Sequence, residues 1–193
     1  MATYILNKYN IIKFHPDPNA YNVLIRITNP GEEFLPLEHG EVYKDILELH
    51  FFDFTDEKLG LKIFQPFHMD KIINFFVAHR LCDNMVIHCD VGISRSAGVA
   101  IGWLLFKDDR SSIYKIYHNR KHIPNRLIVE RFAKRLNKSL KYIDKWEKEK
   151  FETVKNEMSG INQNVNMNNE KKTKNVKNKN KKKDKKNKKD NKN

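Results

Sequence analysis

The sequence predicts an α/β fold, a single domain in which a central, mostly parallel sheet is flanked by helices, ending in a disordered C-terminal tail. Three observations predict it. Short apolar runs rich in β-branched residues recur at 21–28, 46–52 and 85–87, each bounded by polar or turn-forming residues. Segments with apolar residues at helical spacing lie between and after them, the alternation that places helices over a buried parallel sheet. From Gly160 onward the chain is nearly all Asn and Lys, with no aromatic residue, so it cannot bury enough surface to offset the entropy of ordering.

Taken in order, residues 4–14 pair Tyr4-Ile5-Leu6 with Ile11-Ile12-Lys13-Phe14 and read as a short strand or hairpin. Tyr21 to Thr28 is a clearer strand, closed by the turn residues Asn29-Pro30-Gly31. Glu32 to Glu41, with Pro36 and Gly40, reads as a loop. Ile46 to Phe52 is a third strand that delivers Asp53 and Asp56 into a polar loop, 53–60, at the mouth of the sheet. Phe67 to Leu81 carries Ile72, Ile73, Phe75, Phe76 and Val77 on one helical face. Met85-Val86-Ile87 is the next strand, and a helix follows from about Ser96 to Phe106. Asp108 to Ser111 then breaks the pattern and offers Ser111 as the N-cap of a short helix through Tyr114 and Tyr117. After a turn at 122–125, Leu127, Ile128, Phe132, Leu136, Leu140 and Ile143 predict one helix running from about Arg126 past Trp146. The domain is therefore assigned to 1–158 and the tail to 159–193.

The chemistry gathers between the 85–87 strand and the helix at 96–106, in His88-Cys89-Asp90-Val91-Gly92-Ile93-Ser94-Arg95-Ser96. A thiol in such a strand-loop-helix turn lies under successive backbone N–H groups and the positive end of the following helix, both of which favour a thiolate. Arg95, six residues after Cys89, can curl over the same hollow, where a planar guanidinium matches two oxygens of a phosphate. The loop is thus a phosphate cradle with a nucleophile at its floor. A buried structural cysteine beside a surface arginine is the plain alternative.

His88, Cys89, Gly92, Arg95 and Ser96 stand as in the signature of Cys-dependent protein tyrosine phosphatases, and Ser94-Arg95-Ser96-Ala97-Gly98 resembles their small dual-specificity branch. Six fixed positions, His88, Cys89, Gly92, Ser94, Arg95 and Ser96, coincide by chance at on the order of one site in tens of millions. The resemblance covers about residues 20–140, including the Pro124-Asn125 turn. It implies that Cys89 attacks phosphorus and carries a phosphocysteine. Arg95 and the loop amides of Asp90, Val91, Gly92, Ile93, Ser94 and Arg95 would bind the equatorial oxygens. His88 would hold the cysteine backbone, Ser96 would donate to the departing thiolate, and Gly92 would supply a backbone shape that a Cβ resists. It further implies an upstream Asp as the acid for the leaving oxygen. Asp53, at the strand end, and Asp56, with the closer spacing, are the two candidates, and Asp53 is preferred. An ordinary loop carboxylate is the alternative for either.

The substrate class follows from the same comparison. The loop has no lysine, unlike relatives acting on inositol phospholipids, and Arg95-Ser96-Ala97 differs from the Arg-Thr-Gly usual in RNA 5′-phosphatases. A phosphoprotein substrate is expected, and about 88 residues before Cys89 suggest a shallow pocket open to phosphoserine and phosphothreonine beside phosphotyrosine. The rival readings are an RNA 5′-phosphatase or triphosphatase of the same fold and a catalytically silent phosphate-binding module. No cofactor or metal is expected, since the thiolate is the nucleophile and His50, His68, His118 and His122 lack metal-ligand spacing. Cys82 is a packed thiol by this reading, or a partner for a protective disulfide with Cys89 under oxidation.

Two cysteines and a required thiolate point to a reducing, intracellular compartment, cytoplasmic or, in a eukaryotic host, nuclear. No apolar run approaches the roughly 20 residues of a membrane span, and no secretory signal pattern stands at the N-terminus. The net charge is +13. Residues 170–193 hold thirteen lysines against three carboxylates, so ten of those charges lie there and the remaining body is nearly balanced. The tail is accordingly either an electrostatic arm for nucleic acid or another polyanion, or a bland solubilising tract. The oligomeric state is not legible from these residues.

Overall fold

A computed structural model describes residues 1–56, 62–153 and 155. The tail expectation and part of the 53–60 loop lie outside the described residues. The chain divides into two units, 1–146 and 147–193. In the second, residues 147–153 and 155 are helical.

The first unit is α/β. Its strands β1 (Ala2–Asn7), β2 (Asn22–Thr28), β3 (Tyr43–His50) and β4 (Asn84–Cys89) form a four-stranded sheet in the order β1-β4-β2-β3, every pair parallel. The two-residue side-chain period sorts the central strands into two faces. Val23, Ile25 and Ile27 of β2 and Met85, Ile87 and Cys89 of β4 enter the main core, while Leu24 and Val86 join a smaller cluster on the other face. His88 and Arg26, each out of step with those core positions, share the second face.

The main core is covered by α2 (Pro66–Ala78), α3 (Arg95–Phe106), α4 (Arg110–His118) and α5 (Arg126–Arg135). Helix α3 packs against β4 and β1 on one side and against α4 and α5 on the other, which is why its sequence is apolar all round and nearly every residue is buried. Gly102 makes the α3–α5 approach feasible, because a Cβ there would stand 2.3 Å from the Phe132 ring. The second face is covered by the one-turn helix α1 (Asn10–Lys13) and irregular chain, with Ile11, Phe14, Leu37 and Val42 against Leu24 and Val86.

Four expectations change. Of the two readings of residues 4–14 the short strand holds, as β1, and the hairpin does not: β1 pairs in parallel with β4, and Ile11 is drawn into α1 by burial on the second face. The N-cap of α4 is Asp109 rather than Ser111, its carboxylate accepting from Ser112 N and Ser112 Oγ. The helix expected from 126 past 146 is interrupted: α5 ends at Arg135, Asn137 takes a left-handed φ of 52°, and Lys138 N donates back to Ala133 O. Helix resumes at 141–146 within this unit. Cys89 ends the extended strand β4, about 16 Å from Asn84 at its start, and Cys82 lies only two residues before Asn84, too few to return it to within the roughly 7 Å that a disulfide tolerates between Cα atoms. A protective bridge between them is therefore not available to this fold. Burial also pushes the Cys82 thiol up to about 11.

Two buried histidines make stability depend on pH. Burial, ahead of all other causes, lowers His68 and His88 from 6.5 to about 4. Both are charged more readily in the unfolded chain, so their contribution is complete above about pH 6.5 and is lost as pH falls toward 4. The loss is on the order of 3 kcal/mol for each fully protonated histidine. Urea unfolding should therefore show a lower midpoint at about pH 5 than at about pH 7, and the difference should shrink in His68→Gln; a midpoint independent of pH across that window would contradict it.

Candidate active site

The loop after β4 is shaped by its two neighbours. Gly92 has φ +75°, and a Cβ on it would lie 2.8 Å from the backbone of Leu6 and Asn7 at the end of β1. Both the left-handed backbone and the close approach demand glycine. The Asp90, Ile93 and Ser94 carbonyls accept from the amides of Lys8 (3.3 Å), Ile123 (3.1 Å) and Asn125 (3.1 Å). Carbonyl and following N–H point opposite ways in a trans peptide, so the N–H groups of Val91, Ser94 and Arg95 are directed away from those outer partners. The chain thus turns carbonyls outward and amides inward, the polarity that an anion requires.

Cys89 is buried, with its Sγ 3.1 Å from Ser96 Oγ and accepting from Gly92 N at 3.2 Å. One backbone donor and one hydroxyl, which can give or take the proton, therefore lie against the sulfur. Arg95 is also buried, at 3% exposure, which leaves its five N–H groups to be accounted for. Nη1 donates to Asn29 Oδ1 (3.0 Å) and to the Phe51 carbonyl (2.8 Å), and Nη2 donates to the Asp90 carboxylate. Nε has no partner. Two donors remain, Nε–H and the second N–H of Nη2, on a guanidinium otherwise locked in place.

His88 donates nothing to the sulfur. Its Nε2 accepts from Arg26 Nε at 3.1 Å, which fixes the proton on Nδ1. Its lowered pKa comes from burial first and then from the Arg26 charge, with an interaction with the Cys89 backbone working against them. Arg26 is held by Glu48 (3.0 Å), by the Leu35 carbonyl and by the face of Phe34.

Both candidate acids are exposed, and Asp53 is hydrogen-bonded to the loop. Asp53 Oδ1 accepts from Ser94 Oγ and from Asn125 Nδ2, each at 2.8 Å, which leaves Oδ2 to carry a proton. Asn125 also caps α5, its Oδ1 accepting from Ile128 N at 3.2 Å. The Pro124-Asn125 turn was the only sequence signal for it; its reach to Asp53 was not visible. Asn29, Thr28 and Arg26 had no sequence signal beyond their place at the end of β2.

The double duty of Asn125 can be split. Asn125→Ser keeps a capping oxygen and loses the donor to Asp53. Its urea midpoint should match wild type to within about 0.5 kcal/mol, while turnover of an alkyl phosphate falls about tenfold; equal rates would remove Asn125 from the positioning of Asp53.

Val91 and Ile93 are exposed on the outer rim. With Asn7, Asn10 and the turn Asn119–Ile123 they line a cavity of about 590 Å³ beside the loop. No helix among the described residues is long and apolar enough to cross a membrane. No family model matches the chain, and no curated protein matches it.

Proposed function

We propose that this chain is a phosphatase that hydrolyses phosphomonoesters of proteins through a phosphocysteine intermediate, and that it belongs with the small dual-specificity branch its loop resembles. The observation that carries the reading is one constellation on one loop. A buried thiol in contact with the Gly92 N–H and the Ser96 hydroxyl, a locked arginine with two spare N–H groups and a carboxyl tied to the loop's own Ser94 stand together.

The reaction follows from those positions. Cys89 sulfur forms a bond to phosphorus as the ester P–O bond breaks, with the phosphoryl oxygens on the inward amides and the spare edge of Arg95. Asp53 passes its Oδ2 proton to the leaving oxygen, and its preference over Asp56 rests on the bonds from Ser94 and Asn125. In the second half Asp53, now a carboxylate, takes a proton from water as water attacks phosphorus. The S–P bond breaks and Ser96 Oγ donates to the departing thiolate. Phosphate leaves, with every proton returned. The chemistry calls for no metal, and a reducing, intracellular compartment would keep the thiol of Cys89 available.

The test is a panel at equal enzyme concentration: a phosphotyrosine peptide, a phosphothreonine peptide and triphosphorylated RNA. Release of phosphate from the peptides, with RNA untouched, is expected. Turnover of RNA alone would transfer the site to RNA 5′-end hydrolysis, the reading favoured by the thirteen lysines of residues 170–193. Binding of phosphopeptide without turnover would make it a silent phosphate-binding module.

A further inference from the structure

Asp90 is an acid in the wall of a cradle built for anions. Its side chain is 12% exposed and pairs with the nearly buried Arg95. Its other oxygen, Oδ1, is 3.0 Å from Thr28 Oγ1, which in turn lies 3.1 Å from Glu32 Oε2. Asn29 Nδ2 donates to Glu32 Oε1 at 2.9 Å while Asn29 Oδ1 accepts from Arg95. The carboxylate is therefore held from behind and cannot swing away when an oxyanion arrives. Backbone amides and Arg95 attract the incoming charge, and Asp90, on the same guanidinium, opposes it at close range and with little solvent to screen the repulsion.

Resting on the phosphatase reading above, we propose that Asp90 is a specificity-determining residue: its fixed carboxylate neutralises Arg95 within the cradle. Free phosphate is then held weakly, and a phosphoryl group is captured firmly only on a substrate that makes further contacts outside the loop. Two consequences follow. Product phosphate leaves readily, and small phosphate esters are poor ligands relative to phosphoproteins. Arg95 keeps its orientation because the same pair fixes Nη2.

Asp90→Asn separates charge from shape. The amide carbonyl can still accept from Arg95, and its NH2 can donate to Thr28 Oγ1, freeing the Thr28 hydroxyl to donate to Glu32, so every hydrogen bond survives while one negative charge is lost. Inorganic phosphate, titrated into the full chain by calorimetry, should bind Asp90→Asn about tenfold more tightly than wild type or more, and its inhibition of aryl phosphate hydrolysis should strengthen in parallel. Asp90→Glu, which keeps the charge, should stay weak. Asp90→Ser supplies a second neutral variant should the first fold poorly. A residue with only a structural role would lower affinity when replaced, never raise it. Unchanged or weaker phosphate binding in both neutral variants overturns the role of Asp90 and leaves the cradle standing. Phosphate binding to none of the proteins overturns the cradle as well, and phosphate binding without turnover of any ester overturns the phosphatase reading while the role of Asp90 in affinity is still read from the calorimetry.

Discussion

Cys89→Ser should fold as the wild type does and lose at least about a thousandfold in turnover. A serine Oγ fits where Sγ sits between Gly92 N and Ser96 Oγ, so neither the loop nor the core below it needs to move. What changes is the nucleophile: a hydroxyl is far less ionised than a thiol. Inorganic phosphate should still bind, since the inward amides and the spare donors of Arg95 are untouched. Wild-type turnover should be stopped by vanadate and left alone by a chelator. Steady-state hydrolysis of an aryl phosphate, paired with phosphate calorimetry, checks both halves. Activity surviving in the variant would end the phosphocysteine mechanism, and loss of phosphate binding together with activity would mean that the variant loop had collapsed.

Asp53→Asn should slow hydrolysis of esters with poor leaving groups, such as phosphoserine or alkyl phosphates, by roughly a hundredfold or more. The amide oxygen can keep both hydrogen bonds, from Ser94 Oγ and Asn125 Nδ2, so the loss isolates the proton from the position. An ester whose leaving group departs readily as an anion should be much less affected. The acidic limb of the pH–rate profile should remain and the alkaline limb should flatten. Asp56→Asn is the control: if the leaving-group dependence and the lost alkaline limb appear there instead, the acid is Asp56. Asn125→Ser should resemble a mild form of Asp53→Asn in its leaving-group dependence while matching wild type in stability, because it disturbs the carboxyl's orientation and leaves its chemistry intact.

The strands, the main helices and the nucleophile's loop were legible in sequence because each is local. Apolar, β-branched runs at 21–28 and 85–87 mark the central strands, and Cys89, Gly92, Arg95 and Ser96 lie within eight residues, so one turn of chain can assemble them. Local signals failed where burial elsewhere made the decision. Ile11 left the expected hairpin for a helical turn over Leu24 and Val86, and the long apolar period after Arg126 concealed a left-handed Asn137 that ends α5. The partners of the site were beyond reach for a different reason. Asn125 meets Asp53 across 72 residues, Asn29 meets Arg95 across 66, and Arg26 meets His88 across 62. Those contacts exist because β2 and β4 lie side by side in a parallel sheet and α5 starts beside the loop; no spacing rule links residues so far apart. Sequence alone determined which groups could do chemistry; only tertiary closure decided which side chains meet Asp53 and Arg95.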